Sequence, residues 1–183
     1  MTIYLIRHGK TEANERHLYC GSTDLPLSDA GKAELRLVHY DIKNIHFITS
    51  GMKRTNETFR VLFGDVPYEV DPRFREVDFG MFEMHSYEEL KDTQEYQTWL
   101  NGDNDSNVPP HGESGVQMRE RVLAAFSEIR ANTCIITHGG VVAAIMEHLF
   151  PADNKNRYQW QPKPGHGYCL KCDDNNLNYK TYP

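Results

Sequence analysis

Arg7-His8-Gly9-Lys10-Thr11 sets a guanidinium beside an imidazole near the start of the chain, and Thr137-His138-Gly139-Gly140 sets a second histidine before two glycines far downstream. Between them stand Ser50, Arg54 and the acid-bearing stretch Arg75-Glu76-Val77-Asp78-Phe79-Gly80. These residue types suit transfer of a phosphoryl group. Two guanidiniums can grip its oxygens in bidentate fashion. A histidine with one bare ring nitrogen is a nucleophile matched to neutral pH. A second histidine can neutralise charge on the equatorial oxygens of the transition state. The departing oxygen also needs a proton. Glu76 is the candidate acid, with Phe74 and Phe79 as apolar neighbours able to raise its pKa. Plainer readings exist for each residue: His138 as a core or cap histidine, Arg7-His8 as strand-end polarity, Arg54 as a solvated helix residue, and Glu76 as a partner for Arg73 or Arg75.

Such a set works only if the fold gathers it. Residues 2–6 read as a short buried strand and 45–49 as a second. Ser28 is a plausible N-cap for a helix whose apolar positions are Ala33, Leu35, Leu37 and Val38. A helix is expected over 53–63, ending at Gly64, and a third short strand over 68–70. Residues 86–100, with Tyr87, Leu90, Tyr96 and Trp99, look helical. Residues 101–110 are loop-like. A helix over 116–131 carries Met118, Val122, Ala125, Phe126 and Ile129. The strand 133–137 leads into a helix over 141–150, and 168–171 and 178–182 read as two final strands. This alternation predicts an α/β fold, a three-layer α/β/α sandwich on a mostly parallel central sheet. Ligands of such sheets bind beyond the carboxyl ends of the strands. Arg7-His8, Ser50 with Arg54, and His138-Gly139-Gly140 each follow a strand. Gly9, Gly139 and Gly140 would let the backbone approach a ligand. The helix starts after Ser50 and Gly140 would add amide donors for an anion.

The chain has 183 residues, 39% of them hydrophobic and 25% charged, which suits a single domain over 1–183 with a sizeable core. Its 20 Lys and Arg against 26 Asp and Glu give a net charge of −6. That balance argues against nucleic acid or an anionic membrane as partner, yet allows a local basic pocket for a small anion. No apolar run approaches the roughly 20 residues that span a bilayer. Residues 1–6 are too short for a secretory h-region, so a cytoplasmic protein is expected. Cys134 reads as a core residue. Cys169 and Cys172 form a C-x-x-C inside a strand pattern, which puts their thiols on opposite faces and favours inert thiols over zinc or redox chemistry. No H-x-H or H-E-x-x-H pair suggests a metal.

Arg7-His8-Gly9-Lys10-Thr11 with Asn14 resembles the R-H-G-x-T-x-x-N signature of the histidine phosphatase superfamily, in its phosphoglycerate-mutase-like branch. Ser50-Gly51-Met52-Lys53-Arg54 with Thr58 is similar to that family's S-x-x-x-R-x-x-x-T segment. Residues 75–83 are similar to its R-E-x-x-F-G-x-W-E segment, and Thr137-His138-Gly139-Gly140 to its second-histidine motif. The resemblance implies a phosphoglycerate-mutase-like fold and a phosphohistidine on His8. It implies that Arg7, Arg54 and His138 hold the phosphoryl group with help from Asn14. Glu76 would serve as acid and then as the base that activates water, with no metal or other cofactor. Gly21 and Gly139 are candidate substrate contacts.

The chain is short for the insertion that mutases of this family carry, which favours hydrolysis. Gly21-Ser22-Thr23-Asp24-Leu25-Pro26-Leu27 resembles the G-x-T-D-x-P-L of alpha-ribazole phosphatases, which act late in cobalamin biosynthesis. Residues 76–84 resemble their E-M-D-F-G-x-W-E-M, and Pro110-His111-Gly112-Glu113-Ser114 their P-x-G-E-S loop near the site mouth. Phe82 stands where tryptophan is usual, Ala143-Ala144 where many relatives carry an arginine, and Cys20 where broad-specificity relatives often have glutamine. The implied function is a phosphomonoesterase for a small-molecule phosphate ester, alpha-ribazole-5'-phosphate. The alternatives are a broad-specificity phosphatase, or a mutase-like protein, on other small esters. A non-catalytic phosphate-binding module is a third reading. Residues 101–115 are a candidate lid. Residues 152–165 are open among surface loop, helix and homodimer contact.

Overall fold

The computed structural model describes residues 1–173 and 176–183. In chain order its elements are β1 (Thr2–Arg7), α1 (Glu12–Glu15), α2 (Asp29–Leu35), β2 (His46–Thr49), α3 (Lys53–Phe63), β3 (Glu69–Val70), α4 (Tyr87–Leu90), α5 (Gln94–Leu100), α6 (Gly115–Ser127), β4 (Thr133–Thr137), α7 (Gly139–Leu149), α8 (Arg157–Trp160), β5 (Gly167–Asp173) and β6 (Asn176–Tyr182). Short 3-10 turns lie at Pro72–Phe74, Gly80–Phe82 and Pro151–Asp153. The strands form one sheet in the order β3-β2-β4-β1-β5-β6. β3, β2, β4 and β1 are mutually parallel, and β5 runs antiparallel to both β1 and β6.

Period-2 alternation assigns the strand residues to two cores. Ile3 and Leu5 of β1, Ile48 of β2, Ile135 of β4 and Tyr168 and Leu170 of β5 face one side. They meet Met118, Val122 and Ala125 of α6, the apolar residues 141–146 of α7, and Trp160 of α8. Ile6, Cys134 and Ile136 face the other side, where Phe59 of α3 packs with Tyr40 and Ile42. Helices therefore cover both faces of a mostly parallel sheet, as the α/β sandwich reading requires. β4 is buried along its whole length because it lies in mid-sheet between two covered faces.

Local signals set several boundaries as expected. Ser28 Oγ accepts Gly31 N–H at 3.0 Å and caps α2. α3 runs over its expected span and stops at Gly64, whose φ of +77° only glycine adopts freely. Other expectations fail. α2 ends at Leu35, so Val38 lies beyond it and Leu37 stands 87% exposed; a few apolar residues after a short helix had mimicked its periodicity. The span 86–100 breaks into α4 and α5, because Ser86 starts one turn and Lys91-Asp92-Thr93 bends the chain before the next. α6 stops at Ser127 rather than 131, and α7 begins at Gly139 rather than 141. Cys20, Cys134, Cys169 and Cys172 are all free, and Cys134 is fully buried. Among the described residues, no helix is long and apolar enough to cross a membrane.

Candidate active site

β2, β4 and β1 are adjacent and parallel, so their carboxyl ends share one rim. Register sets Arg7 beside Thr137 and Thr49 beside Ile136. The β1–β4 ladder runs one step further, with His8 N–H donating to Thr137 O at 2.8 Å. His8, His138 and Ser50, each the first residue after its strand, thereby meet at the rim. β5 is antiparallel to β1, so the chain entering it, residues 161–166, reaches the same rim from the other direction. Gly165 N–H donates there to the carbonyls of Arg7 and His8, and Arg7 N–H to His166 O.

His8 is 6% exposed. Its Nδ1 lies 2.6 Å from Gly9 O. A carbonyl can only accept, so Nδ1 carries the proton and Nε2 keeps a bare lone pair. Burial, then the charges of Arg54 and Arg7, hold its pKa well below the ordinary histidine value. The ring is therefore neutral at pH 7. His138 lies beside it, with ring centroids 5.1 Å apart.

The two arginines are held very differently. Arg54 is 1% exposed, which disposes of its reading as a solvated helix residue. Its Nη2 donates to Gly21 O at 2.6 Å, its Nη1 to Thr23 O at 2.8 Å and its Nε to His138 Nδ1 at 3.2 Å. Arg7 makes one side-chain bond, from Nη1 to Pro162 O at 2.9 Å, while its buried Nε–H has no acceptor. An unsatisfied buried donor costs on the order of 1–3 kcal/mol. An anion reaching that nitrogen would remove the deficit.

His138 is fully buried, with Nε2 2.8 Å from Ser50 Oγ and Nδ1 engaged by Arg54. Both ring nitrogens are thus committed to protein groups. Its link to the cationic pair runs through Arg54. Burial first, then the Arg54 charge, holds its pKa well below the usual value.

Glu76 does not pair with its arginine neighbours. Arg73 binds Asp71 and Glu128, and Arg75 Nε reaches Ser50 O at 3.4 Å. Instead Glu76 Oε2 accepts Gly140 N–H at 2.8 Å and Oε1 accepts Val77 N–H at 3.1 Å. The α7 start expected to donate to an anionic ligand therefore holds this carboxylate. The α3 start is also occupied, since Lys53 N–H donates to Asp24 Oδ1 at 2.7 Å. Of the two apolar neighbours expected, Phe74 lies in the core and Phe79 packs on Tyr19 and lines the same cavity as Glu76. The glycines also make room for protein rather than for a ligand. A Cβ on Gly139 would lie 3.1 Å from Arg7 Cζ, and one on Gly140 2.4 Å from Glu76 Oε1. Gly21 turns its carbonyl to Arg54, and a Cβ there would lie 1.6 Å from Val77 O. Asn14 Oδ1 accepts Thr11 N–H at 3.0 Å and closes the cap of α1. The rest of Asn14 still borders the cavity.

A cavity of about 310 Å³ opens beside these residues, reaching Arg7 and Glu76 but not lined by His8, Arg54 or His138. Arg7, Asn14, Glu76 and Gly140 border it at the inner end; Leu18, Tyr19, Phe79, Trp99 and Leu100 form an apolar wall; Asp105, Arg119 and Arg157 lie at charged positions along it. Among the described residues, no group of three or more His, Cys, Asp or Glu stands where it could hold a metal ion.

Several residues that shape the site escaped the sequence reading. Glu83 accepts the N–H groups of Gly21, Ser22, Thr23 and Phe79, and so orients the loop whose carbonyls hold Arg54. Arg121 pairs with Glu113 of the Pro110–Ser114 segment and donates to the carbonyls of Arg73, Arg75 and Glu76, which fixes the backbone of Glu76. The 152–165 stretch contains α8, capped by Asn156 with Gln159 in return, and anchored by buried Trp160. That N-x-x-Q spacing was the available signal. Asp105 pairs with both Arg119 and Arg157, tying the 101–115 loop to α6 and α8.

Buried His8, His138 and Arg54 stand with half-buried Arg7 at the carboxyl ends of parallel strands, an α/β rim whose cations suit an anionic ligand. A model of the histidine phosphatase superfamily, branch 1, matches residues 3–182, and the chain belongs to that superfamily of phosphatases. An adenosylcobalamin/alpha-ribazole phosphatase of Salmonella typhimurium is 31% identical over 90% of this chain and 87% of its own length. A relative from Enterobacter named a probable phosphoglycerate mutase GpmB is 33% identical over 81% of this chain and 74% of its own. An Escherichia coli crystal structure, provisionally named an alpha-ribazole-5'-P phosphatase, superposes with a TM-score of 0.86 at 25% identity, covering 100% of this chain and 95% of that one. A phosphoglycerate mutase structure from Thermus thermophilus gives 0.79 at 26% identity, covering 100% and 99%.

Proposed function

We propose that this chain is a metal-independent phosphomonoesterase that hydrolyses alpha-ribazole-5'-phosphate through a phosphohistidine on His8. One observation carries the mechanism: His8 Nδ1–H is tied to Gly9 O, leaving Nε2 uncharged and bare among cations. Nε2 attacks phosphorus in line. A P–N bond forms as the P–O bond to the leaving group breaks, and Glu76, entering as the acid, gives that oxygen its proton. Glu76, now a carboxylate, takes a proton from water as the water oxygen displaces His8. Phosphate leaves and the neutral imidazole returns. Arg7, with its idle Nε–H, and Arg54 hold the phosphoryl oxygens, and positioning with charge neutralisation supplies most of the acceleration.

The leaving-group assignment is supported by the named relatives and by the wall of the cavity. Tyr19, Phe79 and Trp99 border a space suited to a flat aromatic base, which alpha-ribazole carries. The GpmB relative favours the second reading, a broader esterase. A cytoplasmic setting is supported by four unpaired cysteines. The test is a panel of phosphate esters with alpha-ribazole-5'-phosphate beside sugar and nucleotide phosphates. A pronounced preference for the ribazole ester is expected, and flat rates across the panel overturn the substrate assignment.

A further inference from the structure

The hydroxyls of Ser50 and Thr55 are both fully buried, and the mechanism above uses neither. Their donor directions follow from the far end of the chain of contacts. Met52 O is a carbonyl, so Thr55 Oγ1–H donates to it at 2.8 Å. A hydroxyl has one proton, so Thr55 Oγ1 is the acceptor in its 3.0 Å contact with Ser50 Oγ. Ser50, having donated, accepts His138 Nε2–H at 2.8 Å. His138 Nδ1 then keeps its lone pair, and Arg54 Nε–H donates to it at 3.2 Å. Every direction is determined, from the α3 backbone to the guanidinium.

We propose that Ser50 and Thr55 are positioning residues for the phosphoryl-binding arginine: they lock His138 in its Nε2–H tautomer, so that Nδ1 can hold Arg54. The proposal rests on the reading of Arg54 as a phosphoryl ligand. A guanidinium has five N–H groups. Arg54 gives three to His138, Gly21 and Thr23. One N–H on each terminal nitrogen is left for phosphoryl oxygens. The opposite tautomer would set His138 Nδ1–H against Arg54 Nε–H, two donors with no acceptor between them. Protonated His138 would do the same with an added charge, and burial opposes that state.

The test is nitrogen NMR of the ¹⁵N-histidine-labelled full chain, beside kcat on nitrophenyl phosphate. In the wild type, His138 should show a protonated Nε2 and a bare Nδ1; the reverse overturns the proposal whether or not the chain proves to be a phosphatase. Thr55→Val keeps the shape but removes the acceptor, which frees the Ser50 hydroxyl to donate to His138. The His138 signals should move toward the Nδ1–H form, and kcat should fall about tenfold, the scale of one lost buried hydrogen bond. Thr55→Ser should restore both. A Thr55→Val variant with wild-type signals and wild-type kcat overturns the lock. Should that variant fail to fold, the wild-type and Thr55→Ser spectra decide.

Discussion

In the floor of the site Arg54 is committed to three protein acceptors and both His138 nitrogens are engaged, whereas Tyr19, Phe79 and Trp99 line the cavity and pack on one another. The floor has one geometry because these bonds fix the Arg54 plane and the His138 ring, and the N–H groups left over belong to Arg7 and to the terminal nitrogens of Arg54. The wall is set by shape, since ring faces accept many flat groups at similar cost. Reaction class is therefore written into hydrogen bonds and substrate choice into packing. Relatives can share the first and differ in the second, as the ribazole phosphatase and GpmB names among them illustrate.

Substitutions can separate the two regions. The largest effect is expected at the floor. His8→Ala should cut turnover of every ester by about 10⁴-fold or more, with an unchanged circular dichroism spectrum and no ³²P retained on the polypeptide. A variant at wild-type rate would remove His8 from its role. Next, Glu76→Gln should slow alkyl phosphates by about 10²-fold or more, but nitrophenyl phosphate far less, because nitrophenolate leaves without a proton. Equal losses would deny the acid role. At the wall, Trp99→Leu should raise KM for the ribazole ester about tenfold while KM for small alkyl esters stays put. Equal changes for both would erase the distinction between the regions.

The smallest effect is on stability. His8 and His138 are held neutral in the folded protein, with pKa values below the unfolded 6.5. As pH falls below 6.5 the unfolded chain takes up protons that the folded chain refuses, so stability declines, by up to about 1.4 kcal/mol per pH unit for each histidine. Above 6.5 neither group contributes a slope. Melting temperatures should fall on acidification from pH 6.5, and His8→Ala should show a shallower fall than the wild type.

The strand core and the rim were legible because both rest on strong local signals. Residues 133–137 carry the apolar Cys-Ile-Ile between two threonines, and the polar site residues follow strand ends at His8, Ser50 and His138. Helix ends were less legible: Leu37 continues the period of α2 but meets no core, and burial is a tertiary fact. Partners of the site residues were least legible. Glu76 reads like a mate for Arg73 or Arg75, yet its bond is to Gly140, far along the chain. Glu83 looks like a surface acid, and its task of gathering four amides depends on a loop that only the fold brings near.

β1 has only β4 and β5 as neighbours, both from the last third of the chain, and the carbonyl of His8 is met by the amide of Gly165. A ribosome that has extruded everything up to Thr133 has already made His8, Arg54 and Glu76, yet β1 has nothing to pair with. Long-range pairing of this kind closes late. A nascent or truncated polypeptide lacking these strands should therefore be chemically silent, and any hydrolytic capacity should arrive all at once after β4 and β5 have been made.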